Sequence, residues 1–176
     1  MTKTAKTYAG ALYDLALEEN LSAQILADLQ LIVGVFRENP DYRKLLSEPS
    51  ILKEERKALL DEAWREKIHL YTLNFLKLLL DNCSIGQIPG CEAEFRRRFN
   101  EDNGILSVLA VSAYALSDPL KEKLRQKLEQ ETGKKVELSV RVDKNLIGGI
   151  RLEYSGKELD GTVRRHLDSI AHILHA

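Results

Sequence analysis

Only two cysteines occur in the 176 residues, Cys83 and Cys91, and they stand eight positions apart with no CxxC pair. That spacing argues against a disulfide framework or a thiolate metal site, and for two inert, buried thiols in a reducing compartment. No apolar run approaches the roughly 18 residues that a membrane span requires. The opening segment MTKTAKTYAGALYDLALEEN has no apolar core followed by a small-residue cleavage site, so no secretory leader is expected. It also lacks the Arg-rich, acid-poor character of a mitochondrial presequence. Neither sign of charge dominates: 26 Lys and Arg face 27 Asp and Glu, for a net charge of −1. A global basic field for nucleic acid is thereby excluded. The local run Arg96-Arg97-Arg98 sits among Glu92, Glu94, Glu101 and Asp102 and reads as a solvated helix face.

Sites for chemistry are equally scarce. Gly148-Gly149 is not followed by GK[ST] and does not fit GxGxxG, so it reads as a bulge or a close backbone approach within a strand. His166, His172 and His175 fall toward the end of the chain with no acidic or cysteine partner suggested nearby, and His69 stands alone at a helix start. The 27 carboxylates show no acid–base spacing, and no Ser, Cys or Thr occupies a nucleophile turn. No catalytic residue, metal ligand or cofactor is expected.

What is present is helical patterning. An apolar fraction of 44% and a charged fraction of 30% describe an ordinary globular chain of one domain or two small ones. Residues 4–19 carry Tyr8, Leu12 and Leu15 on one stripe and Ala9, Tyr13 and Ala16 on the next. Leu21, Ile25, Leu29, Ile32 and Phe36 define a second helix. Asn39-Pro40 reads as an N-cap and first helical position, opening a short helix through Leu45 and Leu46. After Pro49-Ser50, Leu52, Leu59, Leu60, Ala63 and Trp64 line a fourth helix, and HLYTLNFLKLLLDN forms a fifth. A sixth follows Pro89-Gly90, carries Cys91, Phe95 and Phe99, and stops at Asn103-Gly104.

At Gly104 the period changes. Residues 105–116 are apolar at both parities, as in a strand covered on both faces. SDPLKEKLRQKLEQETG is a helix with a Leu120, Leu124 and Leu128 stripe, closed by Gly133. Val136, Leu138, Val140 and Val142 alternate with polar residues as a half-buried strand. Asp143-Lys144-Asn145 reverses into a strand over 146–154, a short return runs through Asp160-Gly161, and a last helix from about Thr162 shows Val163, Leu167, Ile170 and Leu174 on one face. The expectation is an α+β chain: an N-terminal helical bundle, residues 1–104, then a small β-α-β-β-α domain, residues 105–176.

The fifth helix is apolar almost all round, through Leu70, Leu73, Phe75, Leu76, Leu78, Leu79 and Leu80. Such a helix is covered on more than one side, either wholly by its own bundle or partly by a partner helix lying in a groove. The first helix is also broad-faced, with Tyr8 and Ala11 beside the small Gly10.

Across almost its whole length the sequence resembles the ATP synthase delta subunit family, which includes the oligomycin-sensitivity-conferring proteins. TYAGALYDLALEEN, NPDYRKLLSEPSI, KEERKALLDEAW and LNFLKLLLDNCSIGQIPG follow in the family's order, and KVELSVRVDKNLIGG with DGTVRRHL downstream is its most specific segment. The resemblance implies a six-helix bundle before the small C-terminal domain. It implies a non-catalytic stator subunit of the proton-translocating ATP synthase, without a cofactor, linking the catalytic head to the membrane-anchored b subunits so that the head does not turn with the shaft. The bundle would grip the N-terminal helix of an alpha subunit between its first and fifth helices, at Tyr8, Ala11, Asn74 and Leu78. The C-terminal domain would hold the peripheral stalk. Leu73, Leu76 and Leu80 would then face the bundle core. Thr162 and His166 depart from the family pattern at expected stalk contacts. The implied location is the cytoplasmic face of a bacterial plasma membrane, held there through the complex, ahead of a thylakoid or mitochondrial matrix site.

Overall fold

Seven α-helices, a 3-10 turn and four strands make up the described part of the chain. The structure is a computed structural model and describes residues 2–146, 149–154 and 157–160. Helices come first: α1 (Lys3–Glu18), α2 (Ser22–Glu38), α3 (Pro40–Ser47), α4 (Lys53–Trp64), α5 (Leu70–Asp81), the turn Ile85–Gln87, and α6 (Ile88–Asp102). β1 (Ile105–Ser112), α7 (Asp118–Thr132), β2 (Lys135–Val142), β3 (Ile150–Tyr154) and β4 (Lys157–Asp160) follow. The class is α+β. The chain divides into two units between Phe99 and Asn100, inside α6 and ahead of Gly104.

Local chemistry sets the helix ends. Thr2 Oγ1 accepts from the Ala5 N–H at 3.2 Å and starts α1. Asn20, at φ 57°, ends it in a left-handed turn. Asn39 behaves differently from the expected N-cap. Its Nδ2 donates to the Val35 carbonyl at 3.0 Å, so the side chain seals the end of α2 and makes no cap bond to α3. Gly104 and Gly133, at φ 63° and 67°, lie just past the ends of α6 and α7.

The core of the first unit gathers Leu12 and Tyr13 from α1, Ile25, Leu29 and Ile32 from α2, Leu60 and Trp64 from α4, Leu73, Leu76, Leu79 and Leu80 from α5, and Cys91 and Phe95 from α6. Tyr13 and Phe95 meet edge to face with centroids 5.0 Å apart. Several expected stripe residues lie elsewhere. Leu52 precedes α4 and is exposed, and Leu45 is exposed beside the buried Leu46. The buried α4 position is instead Arg56, whose guanidinium donates to the Leu46 carbonyl at 3.1 Å. Cys91 is buried, which pushes its thiol up to about 11, but Cys83 is exposed and both are free. The pair of buried thiols is therefore corrected to one. Gly10 is buried against the Arg98 guanidinium of α6, so its small size serves that contact.

In the second unit the strand order is β2-β1-β3-β4. β1 pairs parallel with β2 and antiparallel with β3, and β3 pairs antiparallel with β4. α7 is the crossover that a parallel β1–β2 pair requires. The 143–145 reversal does not join two adjacent strands. Instead the Asp143 N–H donates to the Ser112 carbonyl at 2.9 Å, and β3 pairs on the far edge of β1. β1 is central, which is why it is apolar at both parities. β4 replaces the short return read near Asp160. Gly149, at φ 85°, precedes β3 and does not lie within it. The expected final helix with Thr162, His166, His172 and His175, and Gly148, lie outside the described residues.

Candidate functional site

All four positions singled out on the first and fifth helices fall in one groove. Tyr8, Ala11, Leu12 and Leu15 of α1 and Tyr71, Asn74, Phe75 and Leu78 of α5 line a space of about 440 Å³. Leu12 and Phe75, 5% and 6% exposed, form the floor, and Leu78 stands 47% exposed on the wall. The lining residues recur at spacings of three and four on each helix, so each wall is a single helical stripe. From Tyr8 to Leu15 a stripe covers about 10 Å, near two turns of helix. Leu73, Leu76 and Leu80 are buried in the core behind it.

Sequence reading had placed Leu12 and Leu15 beside Tyr8 but did not assign them to the groove, and it had not singled out Tyr71. The i+4 and i+7 continuation from Tyr8, and i−3 from Asn74, was the available signal.

The α5 wall is fixed from behind. Asp28 of α2, 8% exposed, accepts through Oδ2 from the His69 N–H and from the Thr72 hydroxyl, both at 2.8 Å. These bonds put a carboxylate at the N-terminal end of α5, where two orphan donors and the positive end of the helix dipole await one. His69 sits at the N-cap of α5, and its Nδ1 accepts from the Tyr71 N–H at 3.3 Å. Its ring lies 5.0 Å from that of Tyr71. Tyr71 is therefore held at both backbone and ring. The Asn74 side-chain amide, in contrast, makes no hydrogen bond to any described residue and is open to the groove.

On α1, Arg98 of α6 reaches Asp14 at 3.5 Å and Glu94 at 3.3 Å. Glu94 is almost wholly buried and is held below the usual carboxylate range, first by its bond from Arg97 at 2.7 Å and then by Arg98. Glu92 pairs with Arg96. The Arg96–Arg98 run is thus a set of helix-bracing ion pairs.

The second unit presents a different surface. Asn100 donates to Ser107 and Glu137 at 2.7 and 2.8 Å, and Arg141 and Arg151 converge on Glu153 across the sheet at 3.7 and 3.2 Å. No helix among the described residues is long and apolar enough to cross a membrane.

An apolar, two-walled groove with no acid–base pair or nucleophile in it suits a helix better than a reacting molecule. The comparisons with known proteins agree with a binding role. The family described as ATP synthase delta (OSCP) subunit matches residues 4–174. A delta subunit from Carboxydothermus hydrogenoformans is 34% identical over 163 residues, 93% of this chain and 92% of its own. One from Chloroherpeton thalassium is 33% identical, covering 97% and 93%. The sodium-ion-specific delta subunit of Ilyobacter tartaricus is 30% identical, covering 96% and 97%. A chain in the cryo-EM structure of the Toxoplasma gondii mitochondrial ATP synthase hexamer shares the fold at a TM-score of 0.79 over 99% of both chains, with 17% identity.

The chain belongs to the ATP synthase delta (OSCP) subunit family. It is a non-catalytic component of the peripheral stalk, and it associates with other ATP synthase subunits.

Proposed function

We propose that this chain joins the catalytic head to the membrane-anchored stalk through its two units. In finer form, a six-helix bundle, residues 1–104, receives the N-terminal helix of an alpha subunit in the α1–α5 groove, at Tyr8, Ala11, Asn74 and Leu78. A β-α-β-β-α domain, residues 105–176, holds the b subunits. The observation that carries the first half is the groove: an exposed apolar trough between α1 and α5, with no described segment of the chain in it. A tether under torque needs slow dissociation, which desolvated apolar contacts provide without a cofactor. The complex would hold the chain at the cytoplasmic face of a bacterial plasma membrane. Sodium-specific relatives occur beside others, so the coupling ion is not assigned to this chain.

The test is a titration of the intact chain with a peptide of the alpha-subunit N-terminus. Leu78→Asp puts a charge into the apolar wall and is expected to weaken binding by about 2–5 kcal/mol while the helical spectrum is unchanged. Equal affinity in wild type and variant would remove the groove assignment. A chain cut after Gly104 is expected to yield an N-terminal piece that keeps the alpha peptide and loses the b subunits. Binding of b subunits by residues 1–104 alone would remove the division of labour.

A further inference from the structure

The two ends of the α1–α5 groove are not equivalent. The Thr2 hydroxyl donates to Gln87 Oε1 at 2.6 Å, which ties the start of α1 to the turn following α5. Asp28, early in α2, binds the start of α5. α1 and α5 therefore run antiparallel, with Leu15 toward Tyr71 and Tyr8 toward Leu78.

On α1 the stripe Tyr8, Ala11, Leu15 continues at the same spacing to Glu18 and Glu19. Both are exposed, and neither side chain has an ion pair or hydrogen bond with a described residue. The last turn of α1 carries no basic residue, so the negative end of the helix dipole adds to the potential there. The N-terminus of α5 is already met by the Asp28 carboxylate, and the His69 Nδ1 faces the Tyr71 N–H. At the opposite end the α1 stripe runs out through Thr4 to Thr2 and Gln87, all uncharged, and the α5 stripe ends at Asp81, which Lys57 pairs at 2.9 Å. Lys3 and Lys6 fall on other faces of α1.

We infer that the helix received by this groove carries Lys or Arg one turn beyond its apolar stripe, and lies with that basic end over Glu18 and Glu19. The inference rests on reading the groove as a helix-binding site. It adds the occupant's chemistry and its direction. The apolar walls supply the residence time. The acidic end supplies register and faster encounter, because exposed charges steer more than they hold.

The probe is a set of three amphipathic helical peptides with one Leu/Ala stripe and a terminal Lys, Gln or Glu pair, titrated against the full chain. The Lys peptide is expected to bind about two- to fivefold tighter than the Gln peptide at low ionic strength, with the gap closing as salt shortens the screening length. The Glu peptide binds weakest. The double variant Glu18→Gln, Glu19→Gln binds the Lys and Gln peptides alike. A nitroxide on the Lys-bearing end broadens the amide signals of Glu18 and Glu19 in preference to that of Thr4. Equal affinity of the three peptides, a Lys preference that survives in the double variant, or broadening at Thr4 instead, overturns this inference and leaves the groove standing. Failure of all three peptides to bind sinks the groove reading and this one with it.

Discussion

The two units reach order by different means. In the first, residues from α1, α2, α4, α5 and α6 have no accessible surface left, among them Ile25, Leu29, Leu60, Leu76, Leu79 and Phe95. Among the described residues of the second, α7 has no buried residue, and the buried apolar side chains are Val108, Ala110 and Val111 of β1, Ala113 just after it, and Val136 of β2. α7 is braced along its surface instead, by Lys121–Asp118 and by Arg125 between Glu122 and Glu129. Burial contributes far more than exposed ion pairs. One unit can carry a groove on well-packed walls, and in the other the described helix α7 is held at its surface by charge.

Truncating a core ring should separate the two most strongly. Phe95→Ala removes the edge partner of Tyr13 and leaves a cavity, at a cost of about 3–5 kcal/mol. Leu124→Ala, at a half-buried site on α7, should cost well under that. The chain's single tryptophan, Trp64, is buried in the first unit, so its fluorescence in a urea titration reports that unit. Amide exchange in β2 reports the second unit, and a larger loss there for Leu124→Ala than Trp64 shows for Phe95→Ala would break the contrast.

Next in size is the buried anchor of the groove. Asp28→Ala orphans the His69 N–H and the Thr72 hydroxyl and takes a carboxylate from the start of α5, a loss of about 2–3 kcal/mol. Asp28→Asn keeps an acceptor oxygen and should recover most of it. The same denaturation curves decide, and equal loss in both variants would mean that the amide cannot take the carboxylate's place.

Residue-level comparison shows what a sequence can and cannot disclose here. The helix faces were legible where period alone identifies a buried stripe, as at Ile25, Leu29 and Ile32, whereas on the all-round apolar α5 the core-facing Leu73, Leu76 and Leu80 came through family resemblance. The groove was half legible: Tyr8 and Leu78 came through family resemblance, whereas Tyr71 enters through antiparallel packing that no local pattern encodes. Asp28 was invisible. A lone carboxylate in an apolar stripe acquires meaning only when α5 arrives at its side chain. Strand order was hidden for the same reason. Alternation in β2 fixed its faces, but the partner of β3 was decided by the open edge of β1.

A pH-dependent effect should appear on the first unit. Glu94 is held below its ordinary range in the folded state, first by Arg97. The stabilisation is present above the unfolded carboxylate range near pH 4.3 and is lost as pH falls through the lower folded value. Glu94→Gln should lower stability at pH 7 by about 1–2 kcal/mol and flatten the acid limb of the Trp64 transition. An unchanged acid limb would mean that Arg97 and Arg98 do not hold this carboxylate in solution.

The smallest effect is expected on α7. Arg125 bonds Glu122 and Glu129, and Glu129 Oε1 in turn accepts from the Val136 N–H at 3.1 Å, where β2 begins. The pairing raises the Arg125 guanidinium above its ordinary range, first through the bond to Glu122, but the group is solvent-exposed and screening takes most of the benefit. Arg125→Gln should therefore leave the fold intact and show itself as a loss of salt dependence. In wild type, amide exchange at Val136 should quicken as salt rises and Glu129 is freed. In the variant it should be fast at every ionic strength. The Trp64 transition should not move in either. Slow, salt-independent exchange at Val136 in wild type would show that the strand start is held by the sheet alone, and the second unit would then depend less on surface charge than the contrast with the first unit implies.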